Sequence, residues 1–517
     1  MDIEASSRGQ HIALSAGIVM VGFVTSKLIG LGREVIIAKA FGTGPELDAY
    51  YAAFNIPDLL FTLIAGGALA TAFIPVFTGY LVRGDLAGAW RLASAVFNLT
   101  FTIVTILALG VALAAPFLVA WAIAPGFSVE QRWLTANLMR LILLSTVIFS
   151  VSGIVMGVLN AHQHFLLPAF APAFYNLGII GGALLLTPWM GIYGLALGVV
   201  IGAGLHLAIQ VPGLIRYGMR YTFGLGLANP GLHQIAWLMG PRVLALGAVQ
   251  LNFLISTNLA SRLGAGSVSA LNFGWLVMQL PESIFAAAVA QAAFPFLAEL
   301  AARGQQEELR ATLSNTLRAV LALTIPAMAG LIVLGRPWIQ LLFQRGAFGT
   351  SSTEAVYGAL VFYALGLIGH SSLELVARLF YAQKDTVTPL FAVTGAMAVN
   401  LLLSLTLVRL LGHGGLALAN SIAVTLQVST LLWLARKRLD GIQGDDLLRS
   451  AGRSTLATAV MTLVTIAFIT WQREAGPLLL GLGGALLGGV IYLVTSLALG
   501  SEEIRALPGI VLRKRIT

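Results

Sequence analysis

The chain predicts an all-α polytopic membrane protein of about 14 transmembrane helices, built as two parallel-repeat six-helix lobes plus two C-terminal helices. Three observations carry this. The 517 residues are 58% hydrophobic and 10% charged, with mean hydropathy +0.90, whereas soluble domains hold about 25% charged residues. Apolar runs of about 20 residues, the length that crosses a bilayer, recur from end to end. The sequence also repeats. A displacement of 221 pairs Ala161, Pro168, Phe170 and Ala171 with Ala382, Pro389, Phe391 and Ala392, and it pairs Gly191, Gly194 and Leu195 with Gly412, Gly415 and Leu416. A displacement of 222 pairs Ala38, Gly42 and Gly44 with Ala260, Gly264 and Gly266. An even number of spans separates matching points, so both halves run in the same direction about an axis normal to the membrane.

In order, the spans are expected near 12–41, 47–80, 88–121, 132–160, 166–187, 191–216, 234–262, 268–301, 310–343, 353–382, 386–410, 413–438, 451–471 and 475–499. Several exceed the crossing length and must tilt, kink or protrude. Pro57 and Pro281 lie inside their spans, where a missing backbone donor bends a helix. The expected division is an N-lobe at 1–220, a C-lobe at 221–440, and the last two spans with a basic tail at 441–517. The polar start, MDIEASSRGQ, leads into the first long span and does not read as a cleavable signal. With that end inside, seventeen of the 30 Lys and Arg fall in cytoplasmic segments and five on the far side, so both termini are expected to be cytoplasmic. The net charge of +9 then reflects topology rather than nucleic-acid binding, and the tail Leu507–Thr517 either lies on an anionic leaflet or is solvated.

The stretch Thr25–Pro75 carries Lys27, Arg33, Glu34, Lys39, Asp48 and Asp58 in an apolar setting. Charges at such depth face a cavity or a partner. Ser26 lies two helical turns from Arg33, with Gly22 and Gly30 on the same face. Small residues in a stripe also make a helix–helix seam, but a seam has no need of a guanidinium. Asp48, Tyr51, Asn55 and Asp58 in the second span recur 224 residues later as Asn272, Trp275, Gln279 and Glu282. Each set keeps to one arc and closes on a proline–carboxylate pair, Pro57-Asp58 and Pro281-Glu282. Interhelical hydrogen bonding is one reading; two walls of a central cavity, lined by spans one, two, seven and eight, is the other.

Other chemistry is excluded or weak. There are no cysteines, so disulfides and thiolates are absent. His162 and His164 have metal-like spacing but neither Cys nor clustered carboxylates beside them. Gly224-Leu225-Gly226 lacks a nucleotide fingerprint's strand–turn–helix setting, and no phosphate loop or nucleophile–base arrangement is found. No enzyme activity and no cofactor are expected.

Ser26, Gly30, Arg33-Glu34, Phe41-Gly42, Asp48-Ala49, Ile56-Pro57 and Ala72-Phe73-Ile74-Pro75 resemble the MurJ (MviN) family of lipid II flippases in the MOP superfamily. So do Gly157-Val158-Leu159-Asn160-Ala161, Pro168-Ala169-Phe170-Ala171-Pro172, Arg345-Gly346-Ala347-Phe348, Lys384-Asp385-Thr386 and Gly415-Leu416-Ala417-Leu418. The motifs follow in the family's order through nearly the whole chain. The resemblance implies a bacterial inner-membrane protein of peptidoglycan biosynthesis and cell shape. It would flip an undecaprenyl-pyrophosphate-linked muropeptide, lipid II, to the outer leaflet by alternating access, among membrane lipids and with cell-wall synthesis proteins as partners. Arg33, Lys27 and Ser26 would meet the pyrophosphate. The chain departs from the family where Lys27 stands for an arginine, and where Phe61 and Leu276 stand at positions that are often arginine and Gly66 at one often Glu. The resemblance also marks Ser256, Asn400, Ser404 and Asn420 as sodium positions; without a carboxylate they are expected to bind weakly, so no metal site is assigned. The competing readings are a flippase for another undecaprenyl-linked glycan, a MATE-like exporter, against which Lys27 and Arg33 argue, and a transport-silent scaffold of the same fold.

Overall fold

The computed structural model describes residues 2–65 and 67–505, so Gly66 and the basic tail lie outside the described residues. The chain forms two compact units that divide between Ala265 and Gly266. The first unit contains helices α1 Asp2–Phe41, α2 Pro45–Ala53, α3 Asn55–Leu60, α4 Gly67–Val82, α5 Leu86–Leu118, α6 Val129–Ala161, α7 Leu166–Gly181, α8 Thr187–Met190, α9 Ile192–Ala208, α10 Val211–Arg216 and α11 Pro230–Ala260. The second contains α12 Ser267–Pro281, α13 Ala288–Arg303, α14 Gln306–Phe343, α15 Thr350–Ala382, α16 Val387–Leu411, α17 His413–Arg438, α18 Gly444–Trp471 and α19 Gly484–Ala498. Among the described residues 11 helical segments are long and apolar enough to cross a membrane. The three further expected spans correspond to α1, α11 and the broken segment α2–α4.

The second and eighth spans are not single smooth helices. Pro57 and Pro281 cannot donate to the carbonyls four residues earlier. Just beyond them the helix widens into π turns at Phe61–Ala65 and Glu282–Ala287, in matching places of the repeat. The second span also breaks at Phe54, so Asp48 and Tyr51 ride on α2 while Asn55 and Asp58 ride on α3.

Helix α11 packs within the first unit, one span beyond the repeat's halfway point. Two side-chain amides fasten it there: Asn55 Nδ2 donates to Thr257 Oγ1 at 3.3 Å, and Gln250 Nε2 donates to Thr62 Oγ1 in the π turn at 2.7 Å. Close backbone approach sets the seam between α7 and α9, where a methyl on Gly178 would overlap Gly202 Cα; glycine is what allows helices to meet so closely in a membrane. In the second unit α18 and α19 lie against α14, held by the Tyr492 hydroxyl on the Ala322 carbonyl and by Arg318 on Glu502 and Glu503 at 2.8 and 2.6 Å.

Candidate functional site

The small-residue stripe of α1 meets α7. A methyl on Gly22 would come within 2.6 Å of Ala169 Cβ, and one on Gly30 within 3.4 Å of Asn176 Nδ2. Ser26 joins this seam through its carbonyl, which accepts from Asn176 Nδ2 at 3.3 Å, and its own Oγ is buried without a partner among the described residues. The seam reading and the polar-site reading therefore meet in one place, because Arg33 caps the stripe and binds the same amide.

Arg33 Nη1 donates to Asn176 Oδ1 at 2.9 Å. Its Nε donates to Glu34 Oε1 at 3.0 Å, and Nη2 donates to the same oxygen. The other carboxylate oxygen of Glu34 accepts from the Tyr51 hydroxyl at 2.8 Å. One guanidinium–carboxylate pair thus ties α1 to α2 and α7. The Glu34 side chain is 8% exposed and that of Arg33 25%. A guanidinium has five N–H donors, so this network leaves part of its fork for another acceptor. Lys27, six residues earlier, is exposed, with Nζ 5.6 Å from the centre of the Phe23 ring; among the described residues it forms no ion pair.

The other first-unit positions have different settings. Asp48 is buried, Asn55 links α3 to α11, and Asp58 is exposed. In the second unit Asn272 is exposed and bonds back to the Val268 carbonyl at 2.9 Å. Trp275 meets Tyr363 and His370 edge-on, with ring centres 5.3 and 5.0 Å apart. His370 Nε2 bonds Asn420 Oδ1 at 3.0 Å. Gln279 on α12 and Glu282 at the start of the π turn are half-buried. Of the sodium positions, Ser256 is half-buried on α11, Asn400 and Ser404 are buried on α16, and Asn420 faces His370. Among the described residues no three His, Asp or Glu side chains gather as a metal site.

Asn176 was not among the expected site residues, nor was Glu34 given a role. Signals for both exist. Asn176 is the lone amide in the apolar run 166–187, and Glu34 adjoins the arginine that any buried carboxylate there would need.

A repeat-built helical fold with an arginine network inside one unit defines a membrane carrier of the secondary-transporter type. The family model described as lipid II flippase MurJ matches residues 37–480, and the chain belongs to that family. The lipid II flippase MurJ of Burkholderia cenocepacia is 33% identical over 422 residues, covering 80% of this chain and 81% of that one. A Rhizobium tropici protein named "Probable lipid II flippase MurJ" is 31% identical over 496 residues, 93% of this chain and 91% of that one. Among solved structures, a lipid II flippase MurJ in an inward closed conformation superposes with TM-score 0.80 at 26% identity, covering 92% of this chain and 97% of that one. An inward-facing MATE family multidrug transporter of the MOP superfamily aligns with TM-score 0.69 at 16% identity over 80% of this chain and 94% of that one, a likeness of fold alone.

Proposed function

We propose that this protein is a transporter, not an enzyme, that moves lipid II from the cytoplasmic to the outer leaflet of the bacterial inner membrane by alternating access. Both termini would be cytoplasmic, and the working division would be an N-lobe at 1–220, a C-lobe at 221–440 and the last two spans with the tail. The observation that carries the reading is the Arg33 network within the family match. A guanidinium held by Glu34 and Asn176 is pre-oriented, and its remaining N–H groups suit one phosphate of a pyrophosphate. Lys27 supplies a second, mobile positive charge for the other phosphate. The polar residues of α2, α3 and α12 would hydrogen-bond sugar and peptide or link the gates. With no carboxylate at Ser256, Asn400, Ser404 or Asn420, transport should depend little on sodium.

Complementation of a MurJ-depleted bacterium tests this: rescue at matched membrane abundance is expected, and failure with good expression overturns it. A flippase for another undecaprenyl-linked glycan is the second reading. It is favoured by the reduced positive charge, since Phe61 and Leu276 stand where the family often has arginine and Glu34 neutralises Arg33, while Lys27 keeps its charge but lacks the planar fork.

A further inference from the structure

A second arginine sits at membrane depth away from the α1–α2–α7 network. Pro116 in α5 has no N–H, so the Ala112 carbonyl loses the helical donor four residues on. Arg140 of α6 reaches across and donates from Nε to that carbonyl at 2.9 Å, while Nη1 donates to Asn137 Oδ1 at 2.8 Å. Among the described residues no carboxylate pairs with it, so its charge is uncompensated, and Nη2 remains available.

The surroundings are apolar and open. Leu144 next to it on α6 is 53% exposed, and Leu113 on α5 is 84% exposed. Trp133 and Trp121, near the same ends of these helices, are also exposed. Tryptophans of this kind mark the headgroup level. Arg140 lies seven residues along α6 from Trp133, about 10 Å deeper, within reach of a long side chain that extends towards the headgroups. A positive charge held there by an amide and a carbonyl, on a face that meets acyl chains, needs an anion that arrives with a lipid.

We infer that Arg140, braced by Asn137 and the Ala112 carbonyl, is a binding site for the phosphate of a membrane lipid on the outer surface of the α5–α6 pair. A phospholipid and an undecaprenyl-pyrophosphate carrier share that chemistry. Native mass spectrometry of the full chain, loaded with phosphatidylglycerol or with diacylglycerol of the same acyl chains, reads the site. Wild type should retain phosphatidylglycerol about fivefold or more over diacylglycerol, the worth of one arginine near a surface. Arg140→Gln, whose amide can still donate to Ala112, should lose most of that preference with an unchanged melting temperature, and Arg140→Lys should keep it. Added undecaprenyl pyrophosphate that displaces phosphatidylglycerol at sub-equimolar ratio identifies the carrier as occupant; displacement only in excess identifies the phospholipid, and both support the site. An equal preference in wild type and Arg140→Gln, or none in wild type, overturns it.

Discussion

The loops after α6 and α15 have the same backbone and different chemistry. His162 N, Gln163 N and His164 N donate to Val158, Asn160 and Leu159 carbonyls; 221 residues on, Gln383 N, Lys384 N and Asp385 N donate to Leu379, Tyr381 and Phe380. Gln163 and Lys384 both take left-handed conformations, φ 59° and 62°, as a helix C-terminal motif of this kind requires. The closing partners differ. In the first unit His164 meets the Tyr217 ring, centres 6.0 Å apart, and Tyr217 packs tilted against His162 with centres 4.4 Å apart. In the second, Arg438 stands where Tyr217 does, and its Nη2 bonds Asp385 Oδ2 at 2.5 Å. Inside the spans the first unit joins the Arg33–Glu34 pair to Asn176, while the second places Trp275, Tyr363, His370 and Asn420 together and has its own pair, Arg378–Glu374, further along α15. The repeat preserves backbone geometry, and each unit satisfies it with its own partners.

Four experiments strain this contrast. The largest effect is expected at Arg33. Removing one partner of a buried hydrogen-bonded charge pair costs roughly 2–5 kcal/mol, so Arg33→Ala should lower transport about 30-fold or more and destabilise the first unit by leaving Glu34 unpaired. Arg33→Ala with Glu34→Ala should recover melting temperature but not transport. His370→Ala removes a neutral hydrogen bond worth about 1 kcal/mol and should leave transport within a few-fold; a loss matching Arg33→Ala would end the assignment of anion recognition to the first unit.

The second experiment concerns Asp385. Burial raises its pKa, but the Thr388 hydroxyl, the Thr388 N–H and Arg438 outweigh this and hold the carboxyl at about 2. A carboxylate with a depressed folded pKa stabilises above its unfolded value of 3.8 and loses that contribution as pH falls towards 2. Asp385→Asn should cost about 1 kcal/mol at neutral pH, the worth of partly exposed bonds of this kind, and should flatten the acid limb of a melting curve below pH 4.

At the matching position the window is different. His164 has its pKa lowered, first by burial and then by Arg216, and its Nε2 is buried without a partner among the described residues. The unfolded chain therefore takes up the proton first, and stability falls as pH drops below the ordinary value of 6.5. Melting temperatures between pH 7.5 and 5 should decline in wild type and less in His164→Phe, which keeps the ring against Tyr217. A pH-independent wild type would remove the proposed difference between the loops.

The smallest effects should be equal. Gln163→Gly and Lys384→Gly each relieve a side chain in left-handed backbone, worth about 1 kcal/mol. Unequal gains would mean that the two turns are not energetically the same device.

The membrane class, the positions of most spans, the repeat and the proline bends were legible in the sequence, because length, hydropathy and missing backbone donors act locally and leave periodic traces. The residues of the Arg33 stretch were legible for the same reason: charge in an apolar run is conspicuous. Their partners were not. That Arg33 turns to its neighbour Glu34 and to Asn176, 143 residues on, depends on how closely Gly22 and Gly30 let α1 approach α7. That α11 packs in the first unit, against the halfway point of the repeat, depends on Asn55 and Gln250 finding Thr257 and Thr62. Buried hydrogen-bonding groups must be satisfied, but which group satisfies which is decided only when helices distant in sequence are brought face to face.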